Sequence, residues 1–149
     1  MQELRQPRIL IVEGEAIAVI DLCKRLQSVG CFPISTNLCS KDTLTIIEKE
    51  KPDLVLMDIK IQGEFDGIEL AKSIKNKFKI PVIFITSSAG SSILEQEKEN
   101  LSYGYITEPF TDKELKTAIE LALFRHRAEK EINRLNRLYL FISQVNQAI

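Results

Sequence analysis

Carboxylates and hydroxyls stand at the ends of several short apolar runs in this sequence. Glu13 and Glu15 come just after "RILIV", Asp58 follows "DLVLM", and Thr86 ends "PVIFIT". If these runs are neighbouring strands, two carboxylates at one edge would bind a hard cation such as Mg²⁺ through oxygen, and a nearby hydroxyl would complete a phosphoryl pocket. The alternative is that Asp58 is a solvated strand end and Thr86 only caps the next helix.

The elements that must position these residues are short strands alternating with helices. The apolar runs have the length and β-branched content of strands buried on both faces of a parallel sheet. They cover residues 8–12, 31–36, 53–57, 81–86 and 103–107. Between them, apolar residues recur with helical period in residues 16–29, 41–50 and 67–77. Because parallel strands need crossover connections, this alternation predicts a doubly wound α/β sheet, with ligands at the carboxyl ends of its strands.

Size and composition predict one soluble domain. The chain has 149 residues, and its 44% hydrophobic content is enough for one core. The 20 Lys plus Arg nearly balance the 21 Asp plus Glu, so nucleic acid and membrane are not expected partners. Cys23, Cys31 and Cys39 lack zinc-ligand spacing and predict reduced thiols. Without a signal-peptide core or membrane span, we expect a cytoplasmic protein.

Four segments resemble the successive signatures of response-regulator receiver domains, the phosphoacceptor half of two-component signalling. They are "ILIVEGE", "PDLVLMDIKIQGEFDGIELA", "IPVIFITS" and "YGYITEPF", and the resemblance covers about residues 7–127. It implies a flavodoxin-like five-stranded parallel sheet of order 2-1-3-4-5 with five helices. It also implies that Asp58 accepts a phosphoryl group from a sensor histidine kinase, that Thr86 and Tyr105 form the switch, that the peptide before Pro109 is cis, and that the domain is not an enzyme.

Two positions depart from the pattern that this resemblance implies. Gly14 replaces the second acid after the first strand, which is the direct Mg²⁺ ligand in the family, and Glu108 replaces the lysine that pairs with the phosphoryl group. Removing one charge-assisted hydrogen bond costs about 1.5–3 kcal/mol. We therefore expect impaired phosphorylation and weak Mg²⁺ binding by Glu13, Asp58 and the backbone carbonyl of Lys60. The carboxylates of Glu13, Asp58 and Glu108 could converge at this site.

Two other classes of function compete with the phosphoacceptor. A pseudo-receiver would keep the fold as a phosphorylation-independent interaction or dimerisation module, and Gly14 and Glu108 favour it. A nucleotide-binding or flavin-binding enzyme could share the sheet, but it needs a phosphate cradle rich in Gly, Ser or Thr after the first strand. "VEGEA" places one glycine between two acids and would repel phosphate.

The tail after residue 111 predicts a long helix, because it contains no Gly or Pro and begins with Thr111 or Asp112 followed by Glu114. About 35 residues at ~1.5 Å each exceed the width of a small domain, so its second half must pack on something else. Two heptad positions are Ala118, Arg125, Ile132, Tyr139 and Asn146, and Leu121, Ala128, Leu135, Ile142 and Ile149.

From residue 132 onward these positions predict a coiled-coil seam. We expect a receiver domain in residues 1–127 and a signalling helix in residues 128–149. That helix would form a homodimer and lead to a downstream domain. The alternative is an amphipathic helix that folds back on its own domain.

Overall fold

The computed structural model describes residues 5–36, 40–58, 67–86 and 104–147. Strands and helices alternate along these residues. Their order is β1 (Arg8–Val12), α1 (Ala16–Ser28), β2 (Phe32–Thr36), α2 (Ser40–Glu50), β3 (Leu54–Asp58), α3 (Gly67–Phe78), β4 (Val82–Thr86), β5 (Tyr105–Thr107) and α4 (Asp112–Gln147). The five predicted strands and four of the five predicted helices are confirmed, with ends that differ by at most two residues. The fifth predicted helix lies outside the described residues.

The five strands form one parallel sheet of order β2-β1-β3-β4-β5, as predicted. Strand order reverses at β1, which pairs with β2 on one side and β3 on the other. Val12 pairs with Met57, and Asp58 pairs with Ile85. The carboxyl ends of β1, β3 and β4 therefore meet at one edge, at the kind of crevice where such sheets bind ligands.

The strands are apolar on both faces because helices cover both. Ile9 and Ile11 of β1 face a core cluster that includes residues of α1 and α4, whereas Leu10 and Val12 face a second cluster with α2 and α3. This arrangement follows from the period of two along a strand, which sends successive side chains to opposite faces. It fixes the strand ends rigidly and so positions the polar residues that follow them.

Helix α4 begins with a reciprocal capping box. The backbone N–H of Glu114 donates to Oγ1 of Thr111 at 3.1 Å, and the N–H of Thr111 donates to Oε1 of Glu114 at 3.3 Å. These bonds satisfy backbone donors that a helix start leaves unpaired, and they identify Thr111 as the cap.

The first turns of α4 pack on the sheet through Leu115, Ile119 and Ala122, which are buried. The helix then continues unbroken for 36 residues in all, a length of about 54 Å. Every residue from 129 to 142 is exposed. Within the described part of the chain the helix therefore does not fold back on its domain.

Arg25 of α1 fastens the start of α4. Its guanidinium lies 4.1 Å from the ring centroid of Phe110, its Nε donates to Asp112 at 2.7 Å, and its Nη2 donates to the carbonyl of Phe110. The Arg25 side chain is half-buried, so stacking and hydrogen bonding act together with little competition from water.

Among the described helices none is long and apolar enough to cross a bilayer.

Candidate functional site

Glu13 and Asp58 form a carboxyl pair at the carboxyl-end edge of the sheet. Asp58 is the last residue of β3, and Glu13 directly follows Val12, whose partner in β3 is Met57. The register thus places the two residues side by side, and their side chains share a hydrogen bond. A hydrogen bond between two carboxyl groups requires a proton on one of them, so one of these two groups is protonated whenever the hydrogen bond is present.

Burial raises the pKa of Glu13 from 4.5 to about 7, and the adjacent Asp58 carboxylate adds to the rise. Glu13 is only 9% exposed, so its charged form loses most of its hydration. Two backbone N–H groups oppose the rise: those of Gly14 and Glu15 donate to Oε1 of Glu13 at 2.9 and 3.2 Å. The pKa of Glu13 therefore lies near neutrality, where small changes in the site alter its charge.

Thr86 ends β4 beside this pair. Because Asp58 is in register with Ile85, Thr86 is the next residue along the neighbouring strand, and it is 1% exposed. Its carbonyl accepts a hydrogen bond from the N–H of Glu108 at 2.8 Å, which ties the chain after β5 to the end of β4. Tyr105 begins β5 and is 45% exposed. The structure thus brings Glu13, Asp58 and Thr86 to one edge, with Tyr105 at the solvent surface.

Glu108 does not join the carboxyl pair, so the suggested convergence of three carboxylates is wrong. The side chain of Glu108 is exposed, and the described residues contain no group of three acidic, histidine or cysteine side chains that could hold a metal. The physical reason is that burying a third carboxylate beside two others, without a cation, would add both desolvation and repulsion. The predicted cis peptide between Glu108 and Pro109 is confirmed.

The donor set at this edge is of the type that fits Mg²⁺. Two carboxyl groups supply oxygen, and Mg²⁺ in proteins is often held by one or two carboxylates with water completing the shell. Gly14 supplies no further side-chain ligand. One oxygen of Glu13 already accepts two N–H groups, and a metal would have to displace the proton that the pair shares. Lys60, whose carbonyl was the third predicted ligand, lies outside the described residues.

Sequence comparison places this chain in a family. Residues 9–120 match the response regulator receiver domain, and the chain belongs to that family. It is 32% identical over 120 residues to the transcriptional regulatory protein PdtaR of Mycobacterium tuberculosis (strain CDC 1551 / Oshkosh). The match covers 80% of this chain but 58% of that relative, so the chain spans little more than half the length of the curated protein.

Solved structures agree with the fold. The signal receiver domain of a modulated diguanylate cyclase from Desulfovibrio desulfuricans G20 superposes with a TM-score of 0.76 at 29% identity, covering 84% of this chain and 99% of that one. A fusion of the yeast Spc42 trimeric coiled coil, amino acids 181–211, to another structure gives a TM-score of 0.78 at 25% identity. It covers 97% of each chain, so the superposition includes most of α4.

Proposed function

We propose that this receiver domain accepts a phosphoryl group on Asp58 from a sensor histidine kinase, with weakened Mg²⁺-dependent phosphorylation. The observation that carries the proposal is the position of Asp58 at the crevice edge, hydrogen bonded to Glu13 and adjacent to the buried Thr86. A carboxylate at a strand end, with a hydroxyl beside it and a second acid to share a cation, has the groups that phosphoryl transfer to an acid requires. The domain acts as a signalling module, not as an enzyme.

The weakening follows from the charge of the site. An acyl phosphate adds nearly two negative charges, as phosphorylated side chains do at neutral pH. Gly14 provides no extra metal ligand, and Glu108 provides no cation. A proton on Glu13 offsets part of the missing positive charge. A neutral carboxyl does not repel the phosphoryl group, and it can donate a hydrogen bond to a phosphoryl oxygen. Any Mg²⁺ would be held by Asp58, Glu13 and the Lys60 carbonyl, where it would neutralise the incoming oxygens.

A pseudo-receiver is the second candidate, and Gly14 and the exposed Glu108 favour it. The two functions differ in whether Asp58 acquires a phosphoryl group. We would incubate the chain with acetyl phosphate and Mg²⁺ and measure intact mass, using Asp58→Asn as the control. The phosphoacceptor predicts a slow adduct that is absent from the control. If neither this adduct nor Mg²⁺-dependent binding of beryllofluoride appears, the pseudo-receiver is the correct function.

We further propose that α4 is the output element and pairs two receivers in a parallel homodimer. The predicted seam residues Ile132, Leu135, Tyr139 and Ile142 are all about half or more exposed in the single chain, and Tyr139 reaches 71%. Contiguous exposed apolar surface of this kind is typical of an interaction site. The superposition on a fusion of a trimeric coiled coil supports a coiled-coil interaction of α4. In this proposal residues 1–127 form the receiver and residues 128–149 the signalling helix.

Sedimentation of the full chain tests the pairing. Replacing Leu135 and Ile142 by Lys puts charge at two seam positions, and we expect the dimer fraction to fall sharply because a buried unpaired charge is costly. The matched control replaces Asn133 and Gln144 by Lys, which adds the same charge at exposed positions away from the seam. Residues 1–127 alone should sediment as a monomer. A dimer that survives both the seam substitutions and the truncation would show that α4 is not the pairing element.

A further inference from the structure

A cleft of about 460 Å³ lies at the end of the sheet opposite to Asp58. Its walls come from residues just before three strands: Pro7 precedes β1, Pro52 and Asp53 precede β3, and Lys79 and Ile80 precede β4. Helix α4 closes the fourth side through residues 123–130. The cleft therefore combines four separate parts of the chain, and it is far from the carboxyl pair along the strand direction.

Cations dominate the rim of this cleft. Arg5, Lys79, Arg127 and Lys130 line it, and the one lining carboxylate is Asp53. The Asp53 carboxylate already accepts two hydrogen bonds, one from the guanidinium of Arg5 at 2.5 Å and one from the backbone N–H of Arg8 at 2.8 Å. Among the described residues no acid forms an ion pair with Lys79, Arg127 or Lys130. Three positive charges are thus held in excess around one cavity, which favours an anionic ligand.

His126 also lines the cleft but adds little positive charge. Burial lowers its pKa, and the nearby Lys130 lowers it further. At neutral pH the imidazole is therefore mostly neutral, and the positive charge of the cleft comes from its lysine and arginine side chains. The rest of the lining is apolar, from Pro7, Pro52, Phe78 and Leu123. A cationic rim over an apolar floor suits a ligand with a charged end and a flat, poorly hydrated body.

We propose that this cleft binds a small molecule with two or more phosphate groups attached to a flat apolar body, the chemistry of a nucleotide. The phosphates contact Lys79, Arg127 and Lys130, and the body rests on the prolines and Leu123. Lys79 belongs to the sheet side, whereas Arg127 and Lys130 belong to α4. A bound ligand bridges the two and fixes the base of the signalling helix against the domain. This site is independent of the phosphoacceptor proposal.

The geometry favours a compact ligand over a long polyanion. A second groove continues along α4 from the same Lys79, Arg127 and Lys130 towards Leu140, and it adds Arg134 and Arg137. Arg134, however, is held by Glu131 at 2.7 Å, so the positive charge thins beyond the first cleft. Arg127 and Lys130 also lie outside the two heptad positions of the seam, so a ligand there leaves pairing of α4 undisturbed.

Calorimetric titration of the full chain with ADP tests the proposal. Reversing two charges together, Arg127→Glu and Lys130→Glu, should weaken ADP binding about a hundredfold, since each lost charge-assisted contact corresponds to roughly a factor of ten. Both residues are exposed on a helix, so the fold should survive. The matched control is Lys113→Glu with Lys116→Glu, which makes the same charge change on exposed positions of the same helix. It should leave the affinity within about twofold.

Three outcomes would overturn the proposal as a whole, and a fourth would overturn the apolar body assigned to the ligand. The first is no heat of ADP binding up to millimolar concentration. The second is an equal loss of affinity in the control variant, which would indicate diffuse attraction rather than a site. The third is tight binding of a single-stranded RNA that also depends on Arg137, which would make the groove a polyanion surface. Inorganic pyrophosphate should bind more weakly than ADP, because it cannot use the apolar floor; equal affinity would count against the assigned body.

Discussion

The proton shared by Glu13 and Asp58 should make the stability of this domain depend on pH. The pKa of Glu13 is raised in the folded state, so the folded chain holds this proton more tightly than the unfolded chain does. The stabilisation is therefore fully present below the unfolded pKa of 4.5 and is lost as pH rises through about 7. Since each pKa unit corresponds to about 1.4 kcal/mol, the largest loss from this group is about 3 kcal/mol.

Glu13→Gln isolates this effect. The glutamine side chain has the shape of the protonated acid: its oxygen can accept the N–H groups of Gly14 and Glu15, and its NH₂ group can donate to Asp58. It carries no charge at any pH. We expect the variant to exceed the wild type in free energy of unfolding by about 1–3 kcal/mol at pH 8, and the difference to shrink towards zero near pH 4.5.

Urea unfolding at several pH values, without divalent metal, measures this difference directly. The control is Glu15→Gln, which removes an exposed carboxylate two residues away and should keep the pH dependence of the wild type. Comparing variant with wild type also cancels other groups, including His126, whose lowered pKa acts with the opposite sign. If Glu13→Gln and the wild type keep a constant stability difference from pH 5 to 8, Glu13 is not the titrating group and the shared proton is refuted.

Three further changes have expected outcomes. Gly14→Asp combined with Glu108→Lys adds a ligand and a cation, so Mg²⁺ affinity by calorimetry should rise about tenfold or more; an unchanged affinity would mean that another defect dominates. Thr111→Ala should lower the free energy of unfolding by about 0.5–2 kcal/mol through loss of the cap, whereas Thr117→Ala at an exposed helix position should not. Arg25→Ala should cost about 1–3 kcal/mol, and Arg25→Lys should recover only part of that stability, because lysine lacks the planar fork.

The sheet could be predicted from the sequence because its strands are apolar on both faces. β1, β3 and β4 follow continuous apolar runs closely, since helices on each side leave few positions for polar residues. β5 is the exception, with three residues in place of the predicted 103–107. Only Ile106 of this edge strand is buried, while Tyr105 and Thr107 face solvent, so hydropathy marks its extent poorly.

The position of the carboxyl pair could be predicted from the sequence. The protonation of Glu13 and the contacts that support the site could not. Topology alone brings Glu13 and Asp58 together, because both stand at the ends of adjacent parallel strands. The raised pKa depends on burial and on two N–H groups whose direction the sequence does not encode. Glu108 was misplaced because its position near the site did not reveal that its side chain stays in water. Arg25 contacts residues more than 80 positions away, a separation that no local pattern reports.

The tail shows a similar limit. Heptad counting identifies Ile132, Leu135, Tyr139 and Ile142, but it gives no role to Leu140 and Phe141, which are also more than half exposed. A two-stranded seam buries only its inner positions and would leave these two side chains in water. The apolar surface of α4 is therefore wider than the heptad pattern alone predicts.

Helix α4 contacts both edges of the sheet, so charge changes at the carboxyl pair and at the cationic cleft can both act on this helix. The start of α4 is linked to the edge that holds the carboxyl pair. The backbone N–H of Glu108 donates a hydrogen bond to the end of β4, and Thr111 caps the helix three residues later. Its middle forms one wall of the cationic cleft at the opposite edge. An unbroken helix transmits a small tilt at its base over its whole length. Added negative charge at Asp58 and an anion in the cleft would therefore act on the same rigid helix, one at its start and the other at its middle, and either could redirect the exposed apolar face that begins at Ile132.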